Sequence, residues 1–174
     1  MEYFIILPHQ LFEYEFLNKK YTYILWEHPH YFKSYNYNQK KIILHKGSMT
    51  YYYDYLKQKN YKVDYITFDQ KFNIKKYLLF DPIDNIELPF DYTIIDSPNF
   101  LLSNQLCELY RDKTKNFFFN AFYMWSKKEL NIIPSLKSLD KENRNAMPDI
   151  PIPKIPSNDT DKNYIKKGIQ YVKK

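Results

Sequence analysis

Three of the four histidines in the chain stand in two short loops beside its most informative acid. His9 lies in Pro8–His9–Gln10–Leu11, and His28 and His30 flank Pro29 directly after Glu27. Imidazoles at that spacing, with one more from a neighbouring loop, are the donors a zinc-type site draws on. The plainer assignment makes them capping or solvent-facing groups. Glu27 is a carboxylate at a strand end, where it can accept hydrogen bonds from a ribose, a ribityl chain or a heterocyclic N–H. Its alternative roles are to cap a helix or to pair with Lys40. His45 falls on the buried side of a helix and reads as a satisfied core residue. Ser48 and Cys107 have no recognisable base partner or elbow motif, so no catalytic residue and no metal site is assigned.

The elements that would position these loops follow from hydrophobic patterning. Residues 3–7 and 21–26 are β-branched and aromatic runs, each followed by one of the two loops, with a short helix expected within 12–20. Ligands in open parallel sheets bind outside the carboxyl ends of strands, so these loops are the natural site. Residues 38–60 predict a long helix. At about 100° per residue, Ile42, His45, Met49, Tyr52, Tyr53 and Leu56 share one arc, and Asp54, Lys57 and Gln58 face away. Asn60 suits the left-handed position just past the helix end. Strands are predicted at 61–68, 76–81 and 92–96. Helices follow from Ser103, an N-cap, through Tyr110, and from about Lys115 to Asn131. Four of the ten prolines fall in 148–156, an extended linker, and an amphipathic helix follows it over 159–174.

The 174 residues fit one domain with a sizeable core. The aromatic share is 20%, with 19 Tyr and 13 Phe, and only two of the 26 basic residues are arginine. Tyr and Lys thus fill general roles here and carry little functional signal. A formal charge of +6 fits an acidic partner, though lysine lacks the fork that makes arginine the usual base reader. Interleaved Tyr and Lys at 51–62 and 163–174 have the composition of a stacking surface, but a solvated face accounts for them more simply. One cysteine excludes an intramolecular disulfide and a multi-cysteine cluster. The two glycines, Gly47 and Gly168, open no helix after a strand, which excludes a dinucleotide fingerprint and a P-loop. No apolar run approaches a membrane span or a signal segment. A soluble, intracellular protein without a membrane partner is expected.

In order, these segments resemble the N-terminal α/β domain of the deoxyribodipyrimidine photolyase-related proteins, the bacterial iron–sulfur photolyase/cryptochrome branch. LPHQL at 7–11 stands where the family reads LGDQL, and the 38–69 stretch resembles its HHKKKI…SAMRHFAEEL…GY.V.Y segment. NAFYMWSKKELNI at 120–132 is similar to its FYR.MR…LL helix, and LDKENRNAMPD at 139–149 to its WNFD.ENR…P element. The family Gly-Asp stands here as Pro8–His9, and the Arg of AMRHF as Thr50.

The resemblance implies an α/β, Rossmann-like sheet of five parallel strands flanked by helices, with an extended C-terminal linker. It implies a domain over 1–133 and, over 134–174, a linker leading toward an absent helical domain that holds FAD, the iron–sulfur cluster and DNA. The expected ligand is an antenna chromophore, a ribityllumazine or a flavin, with no FAD or iron–sulfur site in this chain. Its candidate contacts are Gln10, Leu11 and Glu27 by match to the family, with His9 and Phe32 added by location. The chain would then be a truncated or split partner of a separately encoded FAD-binding photolyase domain, reaching DNA only indirectly and not catalytic alone. The alternatives are a pigment-free docking domain and a basic nucleic-acid-binding module.

Overall fold

The computed structural model describes residues 2–114, 118–131, 149–154 and 158–173. The chain divides into two compact units, Met1–Pro98 with Pro156–Lys174, and Asn99–Ile155. The first contains five strands, β1 (Tyr3–Ile6), β2 (Thr22–Trp26), β3 (Lys62–Ile66), β4 (Lys76–Phe80) and β5 (Asp91–Ile95). All pair in parallel, in the order β3-β2-β1-β4-β5. This is the Rossmann-like α/β arrangement expected from the sequence. Ile5 of β1 sits opposite Ile24 of β2 and Leu79 of β4. Every residue of β2 is buried, as a central strand covered on both faces must be.

The segments between strands differ from expectation in two places. Residues 12–20 hold only a three-residue 3-10 turn, Tyr14–Phe16, not a helix. The loop after β2 contains a one-turn helix, α1 (Pro29–Phe32), started by Pro29 at its first position and capped by the His28 side chain. The crossover from β2 to β3 is α2 (Gln39–Gln58). Its N-terminus is closed by Asn38, whose side chain accepts from Lys40 N, and Asn60 beyond its end takes φ 60°. Met49, Tyr52 and Leu56 are buried, which fixes the sheet-facing arc.

The far face of α2 is not solvated throughout. Residues 159–174, expected to lead away from the domain, form α5 (Asp159–Val172) after α3 (Asn104–Lys113) and α4 (Phe119–Leu130), and α5 packs along α2. Asp54, which points away from the sheet, accepts a hydrogen bond from Tyr164 Oη at 2.8 Å. The only two glycines in the chain meet at this crossing. A Cβ on Gly168 would lie 2.6 Å from the Ile43 carbonyl oxygen, and one on Gly47 3.2 Å from that of Tyr164. A helical glycine costs up to about 1 kcal/mol relative to alanine, and here close backbone approach offsets that cost.

In the second unit, Ser103 Oγ accepts from Leu106 N at the start of α3, the cap expected from the sequence. Tyr110 of α3 packs against Phe122 and Trp125 of α4 at 5.0 and 4.9 Å between ring centroids. The described part of α4 begins at Phe119, later than expected, and it ends at Asn131 with φ 49°. The DKENR element at 140–144 lies outside the described residues.

Gly168→Ala should lower unfolding stability by about 1–3 kcal/mol, the cost of forcing an extra methyl into a packed contact. Gly47→Ala should be near neutral, because the tight contact and the helix-propensity gain oppose each other. Urea denaturation of both variants tests this, and a Gly168→Ala protein as stable as wild type would contradict the crossing.

Candidate functional site

In this strand order the chain turns from β1 to opposite sides of the sheet, so the switch point lies between the carboxyl ends of β1 and β4. His9 and Gln10 are placed there, beside the loop joining β4 to β5, which takes hydrogen bonds from His9 Nε2 and the Gln10 amide nitrogen. Gln10 is 1% exposed. Its amide nitrogen donates to the carbonyls of Phe80 (2.9 Å) and Asp81 (3.1 Å), and its amide oxygen accepts from Leu7 N at 3.3 Å. His9 Nε2 donates to Pro82 O at 3.0 Å. Two residues from the β2 loop reach the same segment. Tyr31 Oη donates to Asp84 Oδ2 at 2.8 Å, and His28 Nε2 donates to Glu87 O at 2.8 Å. The loop held this way carries Ile83 and Phe90 at φ 66° and 63°, conformations that cost a side-chain-bearing residue about 1–2 kcal/mol.

The donors considered for a metal do not converge. His28 spends Nδ1 on His30 N (3.1 Å) and Nε2 on Glu87, which leaves no ring nitrogen for an ion. Among the described residues no group of three or more His, Cys, Asp or Glu side chains is placed to hold one.

Glu27 and Phe32 belong to a second cluster. Glu27 is 0% exposed. Its Oε1 accepts from Lys46 Nζ at 2.6 Å and Tyr65 Oη at 2.7 Å, and its Oε2 accepts from Tyr171 Oη at 2.7 Å and Phe68 N at 3.4 Å. The cation is therefore Lys46, about one and two-thirds turns further along α2 than Lys40. Burial, then the Glu27 charge, pushes the Tyr65 hydroxyl well above the usual tyrosine range, and burial and the hydrogen bond to Glu27 do the same for Tyr171. Both phenols therefore stay protonated donors. Lys46 Nζ also lies 4.4 and 4.8 Å from the ring centres of Tyr65 and Tyr171. Phe32 lines this cluster, its ring centre 6.2 Å from that of Tyr171 and 6.5 Å from that of Phe68. Leu11 stands apart, in a groove of about 210 Å³ with Phe12, Tyr51 and Tyr55.

His45 is not the satisfied core residue expected. Its Nε2 is buried without a hydrogen-bond partner among the described residues, as is His9 Nδ1. The Tyr31 ring lies 5.0 Å from that of His9 and 6.4 Å from that of His45. Loss of water on burial lowers both imidazoles, and that of His28, below the ordinary 6.5.

The space left open at the strand ends is a groove of about 490 Å³ past β2. Trp26, His28, His30, Tyr35, Asn85 and Glu87 line it, with Tyr35 64% exposed at the mouth. Sequence reasoning reached His28 and His30 but not Tyr35, Asn85 or Glu87, which depend on where the β4–β5 loop falls. The Tyr–Lys interleaving is partly consumed within the chain, with Lys57 over Tyr53, Lys59 over Tyr14 and Lys167 over Tyr164. Among the described residues no helix is long and apolar enough to cross a membrane.

The model of a family described as deoxyribodipyrimidine photo-lyase-related protein matches residues 4–86 and 75–174. An uncharacterized protein of Acanthamoeba polyphaga mimivirus is 29% identical over 184 residues, covering 83% of this chain and 94% of that protein.

Breaking the Glu27 cluster should be costly in graded fashion. Lys46→Met, which strands a buried carboxylate, should lose about 3–5 kcal/mol, and Tyr171→Phe about 1.5–3 kcal/mol. Chemical denaturation at neutral pH reads both, and losses below about 0.5 kcal/mol would show the cluster to be inert. The buried histidines set a pH dependence. Their folded values lie below the unfolded 6.5, so the unfolded chain binds more protons beneath that pH. Stability should be fully present above about pH 6.5 and fall as the pH drops toward the folded values. The fall in Tm between pH 7 and pH 5 should shrink in a His9→Asn, His45→Leu variant.

Proposed function

The chain belongs to the deoxyribodipyrimidine photo-lyase-related protein family, and from that premise we propose that it is an antenna-type domain that binds a flat chromophore past β2. The supporting observation is the groove between Trp26, Tyr35 and the β4–β5 loop. Its volume of about 490 Å³ lies within the range of small-molecule sites. It opens at the carboxyl ends of parallel strands, where such folds take ligands. Trp26 and Tyr35 offer aromatic surface to a ring system, and His30, Asn85 and Glu87 offer polar atoms to a ribityl chain or a heterocycle edge. A ribityllumazine or a flavin has that chemistry. The pigment absorbs near-ultraviolet or blue light and passes the excitation on. This chain's residues hold and orient it, and a separately encoded FAD-binding domain receives the energy and acts on DNA.

A second reading, a pigment-free docking domain, draws on a different observation. At the switch point, His9 Nε2 and the Gln10 amide nitrogen are already bonded to the chain's own carbonyls, which leaves fewer polar groups there for a ligand.

Absorption spectra from 300 to 500 nm, taken before and after incubation with FMN, FAD and a ribityllumazine, separate the two. A retained pigment whose uptake drops at least tenfold in Tyr35→Ala or His30→Ala supports the groove. A featureless spectrum after every incubation overturns the antenna reading in favour of docking.

A further inference from the structure

Leu44, Ser48 and Tyr51 form a stripe of α2 that the sheet and α5 leave partly open, with Tyr51 edge-on to Tyr164 of α5 at 5.4 Å between ring centres. At about 100° per residue, Met49, Tyr52 and Leu56 form the sheet face of the helix, and Ile43, Gly47 and Asp54 the face under α5. The stripe lies between them, on the side of α2 opposite Lys46. Leu44 is 67% exposed and Tyr51 47%, with Ile165 of α5 51% exposed opposite them. Between stripe and α5 runs a mostly apolar groove of about 440 Å³, deepened where Gly47 has no side chain. Clustered exposed apolar residues of this kind mark interaction surfaces.

The charges at its ends specify the occupant. The two helices run antiparallel, because Ile43 lies against Gly168 and Gly47 against Tyr164. Lys40 therefore marks one end of the groove and Asp161 the other, beside Tyr51. Neither forms an ion pair among the described residues. We propose that a second copy of this chain fills the groove, its own Leu44–Tyr51 ridge entering about a two-fold axis. Ridges at four-residue spacing pack into the grooves of a facing helix, and a two-fold contact needs a surface complementary to itself. With the two α2 helices antiparallel across the axis, Lys40 of one protomer meets the partner's Asp161, and the same pair forms a second time. Like charges would coincide if the helices ran parallel.

Sedimentation velocity over a concentration series tests the assembly. The wild-type mass should approach twice the 21.4 kDa of one chain. Leu44→Glu should hold the chain at the monomer mass with an unchanged circular dichroism spectrum. Lys40→Glu and Asp161→Lys, each alone, should weaken association at least tenfold, because each places like charges at both ends. Mixing the two variants should restore wild-type association, since both contacts of the mixed dimer then pair opposite charges. A purely structural role for either residue cannot produce that recovery. A 21.4 kDa mass at every concentration overturns the proposal and leaves the groove to a different protein or an apolar ligand. So does a dimer indifferent to Leu44→Glu, or a mixture that fails to recover.

Discussion

A carboxylate without water contact must find its donors within the chain, and Glu27 finds four. They come from α2 (Lys46), β3 (Tyr65), the segment after β3 (Phe68 N) and α5 (Tyr171). Taking both members of an ion pair out of water costs several kcal/mol per ion, which is recovered only when geometry and extra hydrogen bonds are good. Here both oxygens are met, and by elements far apart in sequence. The carboxylate thereby fixes how α2 lies on the sheet and where α5 ends its course along α2. The glycine crossing has the same effect from the other side, because α5 can approach α2 only where Gly47 and Gly168 admit its backbone.

The strand ends follow from a similar constraint. Open parallel sheets leave a crevice at the switch point, and polar residues there need either a ligand or the chain itself. In this protein the β4–β5 loop supplies the partners, taking hydrogen bonds from His9, Gln10, His28 and Tyr31. The open volume is displaced sideways, beyond β2. Ile83 and Phe90 keep left-handed backbone because four side chains hold the loop that contains them. The loop that walls the groove beyond β2 is thus held in place by bonds within the chain.

Much of this was legible in the sequence, for reasons that can be named. α2 and β3 announce themselves through a 3.6-residue apolar arc followed by Asn60 and a β-branched run. Ser103 reads as a cap because its hydroxyl has one local use. The long helix between β2 and β3 marks that pair as parallel, while the full parallel sheet of five strands was implied by the family resemblance. Partners chosen by tertiary packing were not legible. Lys40 and Lys46 look alike in a linear reading, and only the rotation of α2 on the sheet selects Lys46. The docking of α5 rests on two glycines 121 positions apart, which carry no local signature beyond their cost inside a helix. The helix expected in 12–20 is reduced to the Tyr14–Phe16 turn, where Tyr61 Oη and Tyr23 Oη donate to the carbonyls of Tyr14 and Asn18.

The first unit is assembled from both ends of the chain, residues up to Pro98 and those from Pro156 onward, with Asn99–Ile155 made in between. Synthesis therefore imposes an interval on the fold. At about 5–20 residues per second, roughly 4–15 s separate the appearance of β5 from that of Tyr171. During that time the sheet can form and Lys46 can reach Glu27, yet the second carboxylate oxygen lacks its phenol and the Ile43–Gly47 face of α2 lies bare. The nascent domain is thus a species with an open helix face and a carboxylate that has three of its four donors. Its last step is the arrival of a helix that the ribosome delivers late.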